Sequence, residues 1–272
     1  MKIIFGVFLF VGFNTFAQSA QTLMGARQMG LAFSSATIKD EWSQWNNVAG
    51  LAKHRQAAAA VAYEVTPSLL GANRMVMTGV VPFKQGALGI GVFRFGDAVY
   101  SEQLASIGLA HQIANTSLGV KLNWVQYRAD GFGVQSAATL DFGGISQITQ
   151  QMRIGAYITN LTQSSFQSTE NYRLPTRLII GVSFQLTSTV LVATELEKDL
   201  DYKPVFKSGL EYEPIKNFFL RGGFNFYPQN YYFGLGSKWK SITANYAVRF
   251  NHLLGSTHQI SATIYWGKAK TK

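Results

Sequence analysis

From Gln56 to Trp266 the chain repeats one pattern: about ten residues in which apolar and polar side chains alternate, then a break at Gly, Asn, Asp, Ser or Pro. Alternation at period two sends one set of side chains to each face of a strand. Ten residues is also the length of a tilted strand that crosses a bilayer. Fourteen segments fit: 56–65, 74–83, 86–95, 103–112, 117–127, 134–143, 151–160, 176–186, 189–199, 204–213, 218–227, 231–239, 242–251 and 257–266. Strands of a soluble sandwich run to about five or six residues, shorter than these. In a bilayer every backbone N–H and C=O needs a partner, so a sheet of such strands must close on itself, and an even number brings both ends to one side. The pattern predicts an all-β fold: a closed antiparallel transmembrane β-barrel of about 14 strands.

The faces are legible in most segments. In 242–251, Ile242, Ala244, Tyr246, Val248 and Phe250 oppose Thr243, Asn245, Arg249 and Asn251. In 204–213, Phe206, Leu210 and Tyr212 oppose Lys207, Glu211 and Glu213. In 74–83 and 86–95 the alternation blurs and no faces are assigned. Trp124, Tyr212, Phe226, Trp239, Phe250 and Trp266 fall where an aromatic girdle would sit. The polar faces place Lys121, Asp141, Arg153, Arg177, Glu195, Glu197, Lys207, Glu211, Glu213, Arg221, Lys238 and Arg249 in the lumen. Both signs are present, so a structural network of paired charges is expected there rather than an open pore.

Composition agrees. Charged residues are 14% of the 272, against roughly 25% in soluble domains, while aromatics reach 14%. Disorder is excluded by the aromatics, and a disulfide framework by the absence of Cys. Residues 1–17 read as a signal peptide: Lys2, a short apolar run, then Thr15 and Ala17 before the cleavage point. Export places the barrel in the cell outer membrane, with outer-membrane lipid as its first partner. The net charge of +10 is scattered along the chain, clustering only in the basic tail 267–272, so no nucleic-acid partner is expected.

Residues 18–55 are not strand-like. Gly25, Arg27 and Gly30 open the segment, and Asp40, Trp45, Asn46, Asn47, Ala49 and Gly50 close it. Small residues suit a chain threading a crowded space, Asp40 would cap a helical turn, and Asn46–Asn47 favours a turn before the first strand. The segment is expected to be a plug inside the barrel domain 56–266, with Asp40 and Glu41 meeting lumen cations such as Arg221 or Arg249. These residues resemble the N-terminal signature of FadL-like outer-membrane proteins, most of all the PorV/PorQ group. Val48 stands where that signature has proline, in Asn47-Val48-Ala49-Gly50-Leu51-Ala52. The resemblance implies one of two functions. One is a partner barrel of a type IX translocon or its secreted cargo, acting in protein secretion or surface attachment. The alternative is a passive FadL-like channel for a hydrophobic small molecule. The first is the leading expectation.

Catalytic chemistry is not expected. His111 and Ser106 lie on opposite faces of one strand, and His252 and His258 flank an outer loop with Ser256 between them. No H-E-x-x-H or calcium-loop pattern occurs, and no cofactor is implied.

Overall fold

The computed structural model describes residues 22–166 and 173–267. The proposed signal peptide and the tail beyond Gly267 lie outside them. Fourteen antiparallel strands form a closed barrel in which each strand pairs with its sequence neighbours and β1 pairs with β14. They are β1 (Ala57–Val65), β2 (Arg74–Phe83), β3 (Gly86–Gly96), β4 (Tyr100–Ile113), β5 (Thr116–Ala129), β6 (Gly133–Gln147) and β7 (Met152–Thr159). The second half comprises β8 (Arg177–Gln185), β9 (Val190–Asp199), β10 (Val205–Ile215), β11 (Phe218–Phe226), β12 (Asn230–Trp239), β13 (Ile242–Asn251) and β14 (Gly255–Trp266). No helix among the described residues is long and apolar enough to cross a membrane.

The predicted faces hold. Ile242, Tyr246 and Phe250 are exposed on the outer wall, whereas Lys121, Glu195, Lys207, Glu211 and Arg221 are buried in the lumen. The turns at 84–85, 114–115, 216–217 and 240–241 are two-residue connections at the end that carries β1's start and β14's finish. The opposite end carries the longer connections, 66–73 and 160–176. At this loop end Phe206, Phe224 and Phe226 contact one another, and Phe233 meets Phe250 with ring centroids 6.2 Å apart. Trp239 and Trp266 mark the turn end. Trp124 departs from the girdle expectation: it lies mid-strand in β5, because β4 and β5 run further at the loop end than the alternation alone suggested.

The unassigned strands β2 and β3 alternate as regularly as the rest. Met75, Met77 and Val81 point out, while Val76, Val80, Ala87 and Phe93 point in. Both faces are apolar because the lumen side packs against tryptophans of the N-terminal segment instead of water or charge.

Residues 22–56 run inside the barrel. A single helical turn, α1 (Ala26–Gly30), lies against β11–β14. A 3₁₀ turn at Glu41–Gln44 sits against β1–β3, and another at Val48–Lys53 against β3–β6. Together they form the molecule's apolar core. Met24, Trp42 and Trp45 pack on Ala60, Ala62, Val76 and Phe93, and Val48, Leu51 and Ala52 on Val80, Ala87 and Ala110.

Candidate functional site

The candidate site is the lumen and the segment that fills it. Gly25 has φ 114°, a conformation open to glycine at little cost, and a Cβ there would strike Gln28 and Trp42. Asp40 caps the first 3₁₀ turn as expected, its Oδ1 accepting from the Trp42 N–H at 3.0 Å. Asn46 Nδ2 donates to the carbonyls of Met24 and Trp42 at 3.0 and 2.7 Å, which ties the two arms of the segment together. Asn47 Oδ1 accepts from the Ala49 N–H, and its Nδ2 reaches Ala36 O within the segment and Gly144 O on the wall. Trp45 packs on Phe93 with centroids 6.0 Å apart, and Lys121 Nζ lies 6.0 Å from its ring centre.

The contacts with the wall differ from the expected pairing. Asp40 and Glu41 do not reach Arg221 or Arg249. Asp40 instead binds Arg27, 3.1 Å away in the same segment, and Gln28 Nε2 at 2.7 Å. Arg27 carries the link outward: its Nε and Nη2 donate to the two oxygens of Glu211 at 2.9 and 2.7 Å. Arg221 Nε donates to the same carboxylate at 2.6 Å. The segment's cation thus meets the wall's anion, and a guanidinium suits this because its fork can engage both carboxylate oxygens. Glu41 accepts from Thr263 Oγ1 at 2.5 Å and Tyr265 OH at 2.9 Å, with His54 Nε2 at 3.6 Å.

Glu195 accepts the backbone N–H groups of Ser35 and Ala36 at 2.9 and 2.8 Å, while Lys207 neutralises it at 3.0 Å. Lys121 pairs with Asp141 at 2.9 Å and donates to Gln44 O at 3.2 Å. Arg177 pairs with Asp199 at 3.0 Å, Arg153 Nη1 reaches Thr37 O at 3.5 Å, and Arg249 Nη2 donates to Thr257. Much of this set of contacts joins the wall to the segment. Sequence reasoning missed Glu64, which accepts from Arg74 Nε at 2.7 Å and from Gln259 Nε2 at 2.6 Å inside the wall. Glu64 stands on the face it shares with Ala60 and Ala62, so the parity of β1 held that signal.

The segment fits because glycines line the wall beside it. A Cβ on Gly119 would lie 2.7 Å from Ala49 N, and one on Gly209 2.7 Å from Leu31 Cα. Gly30 packs against Gly234, and Gly50 against Ser43 and Ile38.

Burial pushes the Asp40 carboxyl up to about 6, against the pull of Arg27. Burial also disfavours charge on Glu41 and His54. Their mutual contact prevails, holding Glu41 below and His54 above their ordinary values.

Two cavities lie on the loop side of the segment. One, about 450 Å³, is polar and bordered by Arg177, Glu197, Asp199, Lys207 and Arg249. The other, about 70 Å³, has an apolar side made by Phe93, Leu104, Val125 and Leu174. Over it Phe166 and Leu174 pack inward, with Phe166 on Tyr127 at a centroid distance of 4.9 Å. Beside it the wall is low. β7 pairs with β6 only from Phe142 to Gln147, so Gly133–Asp141 has no β7 partner in register. The edge is tied down by the Leu161 N–H to Leu140 O and the Asn160 N–H to Asp141 Oδ1, at 2.7 and 2.9 Å.

The barrel fold has known counterparts. The toluene transporter TodX of P. putida superposes with a TM-score of 0.69 at 12% identity, covering 92% of this chain and 100% of that one. The Ralstonia pickettii toluene transporter TbuX gives 0.66 at 13%, covering 92% and 99%, and a Pseudomonas aeruginosa FadL homologue gives 0.59 at 13%, covering 90% and 99%. The chain shares the barrel fold of these proteins. No protein-family model matches it, and no curated protein matches its sequence. The finer PorV/PorQ resemblance gains no support from these structures.

Proposed function

We propose that the chain is a FadL-like passive channel for small hydrophobic molecules, with residues 22–55 as its plug. The observation that carries this reading is the chamber above the segment, whose apolar side of Phe93, Leu104, Val125 and Leu174 stands beside the part of β6 that β7 does not pair. Lys121, Asp141 and Arg177 form the polar side of that chamber, where apolar surface gains nothing. The low wall beside β7 leads instead toward lipid. The fold likeness to transporters of toluene agrees with this substrate class. The comparisons lend a translocon partner no comparable support.

Locking the segment tests the reading. Ala36 faces Gly181, whose added Cβ would lie 2.9 Å from the alanine Cβ, so a modest shift brings an Ala36→Cys/Gly181→Cys pair to disulfide distance. The chain has no other Cys. Uptake of radiolabelled toluene into vesicles bearing the full protein should fall to the protein-free rate on oxidation and return on reduction. Equal uptake in the locked and reduced forms would reject a moving plug. Uptake never exceeding that of empty vesicles would reject the channel itself.

A further inference from the structure

The outer wall carries a hydrogen-bonded set that the lumen does not use. Ser256 and His258 are two residues apart on β14, so both face outward. His258 Nε2 lies 3.0 Å from Ser256 Oγ, and His258 Nδ1 lies 2.7 Å from the hydroxyl of Tyr246 on β13. The Tyr246 and His258 rings are stacked, with centroids 6.1 Å apart. This is a hydroxyl nucleophile, a base and an orienting group in hydrogen-bond order, the arrangement that activates serine on unrelated folds.

Its surroundings match one substrate. Ser256 pairs in register with Phe250, which pairs with Tyr231, so the hydroxyl stands in the aromatic belt at the loop end. That is the depth of lipid headgroups and ester carbonyls. Directly below His258, the outer wall opens into an apolar trough of about 940 Å³ that includes Tyr246, Ile260, Tyr63, Val61, Ala244 and Ala262. The small side chains of Ala244 and Ala262 make its floor, with a shape suited to an acyl chain. β1 ends at Val65 opposite His258, and Thr66 and Ser68 continue beside β14, with Thr66 Oγ1 2.9 Å from Thr257 Oγ1.

We infer that Ser256, His258 and Tyr246 form a hydrolytic site for the acyl esters of outer-membrane lipids. Ser256 Oγ attacks the ester carbonyl carbon as its proton passes to His258 Nε2. The bond from that carbon to the lipid alcohol oxygen breaks, and the alcohol leaves with the proton from His258. Water then attacks the acyl-Ser256 with His258 again as base, releasing the fatty acid and restoring the hydroxyl. Tyr246 is a positioning residue that holds Nδ1.

The site lies on the opposite face of the wall from the plug, so it is tested independently of transport. The full protein in phosphatidylethanolamine–phosphatidylglycerol vesicles is treated with a fluorophosphonate, and lysolipid release is followed by mass spectrometry. The expected result is an adduct on Ser256 and lysolipid formation. Both should vanish in Ser256→Ala, and turnover should fall on the order of 100-fold or more in His258→Ala. Tyr246→Phe, which keeps the ring, should lower kcat and leave KM unchanged. Barrel heat-modifiability on gels confirms that each variant is folded. No adduct on Ser256, or lysolipid release unchanged in Ser256→Ala, overturns the inference.

Discussion

At the scale of single residues, the seat of the N-terminal segment is an electrostatic device. Asp40 faces Arg27, Gln28, Glu41 and His54, with Glu211 behind Arg27. Because burial raises its folded pKa to about 6 from 3.8, the folded state binds its proton more tightly than the unfolded chain does. The stabilisation it gives is complete below about pH 4 and is lost as pH rises through 6. The raised His54 acts in the same direction. The lowered Glu41 acts oppositely, its contribution fading only in acid below the ordinary glutamate range. Limited proteolysis of residues 22–55 should therefore be slower at pH 5 than at pH 7.5. Asp40→Asn should flatten most of this dependence, and an identical profile in that variant would remove Asp40 as its source. The residue types of this network were readable from the sequence, but their pairing was not. Parity places Glu211 and Arg221 on the lumen face, yet only the path of the segment decides that Arg27 is the third member.

At the scale of elements, segment and wall are fitted backbone to backbone. Gly119 on β5 approaches Ala49, and no side chain has room there. Gly119→Val should leave the strand ladder intact while costing about 1–3 kcal/mol of seating energy, the usual range for overpacking. The measurable outcome is rapid cleavage within residues 22–55 and an undiminished heat-stable barrel band. A variant as protease-resistant as the parent would show that the approach can relax. The strand bounds were largely legible, and 74–83 and 242–251 coincide with β2 and β13. The faces of β2 and β3 were not, since Trp42 and Trp45 make the lumen apolar there and alternation loses its contrast. The loop ends of β4 and β5 and the turn end of β6 were also missed, because beyond the bilayer no solvent of opposite polarity enforces the pattern.

For the whole molecule, the decisive fact is that a ring of fourteen strands has an interior to fill. Here the chain fills it with its own N-terminal segment. The intact protein in planar bilayers should conduct ions poorly. Deleting residues 22–55 should open a pore of far larger conductance, with selectivity set by Lys121, Arg177, Lys207, Arg221 and their carboxylate partners. Equal conductance in both forms would mean that the segment does not occlude the lumen.

Period-two alternation over bilayer-length segments was enough by itself to determine an all-β barrel, its strand number and the face most residues take. A bilayer tolerates no unpaired backbone, so that pattern has one stable closure. The partners of the buried charges and the seat of the N-terminal segment were decided only in three dimensions. So were the low wall beside β7 and the Ser256–His258–Tyr246 contact. These depend on which distant residues share a height and a direction, and hairpin register and strand tilt set that after the ring has closed.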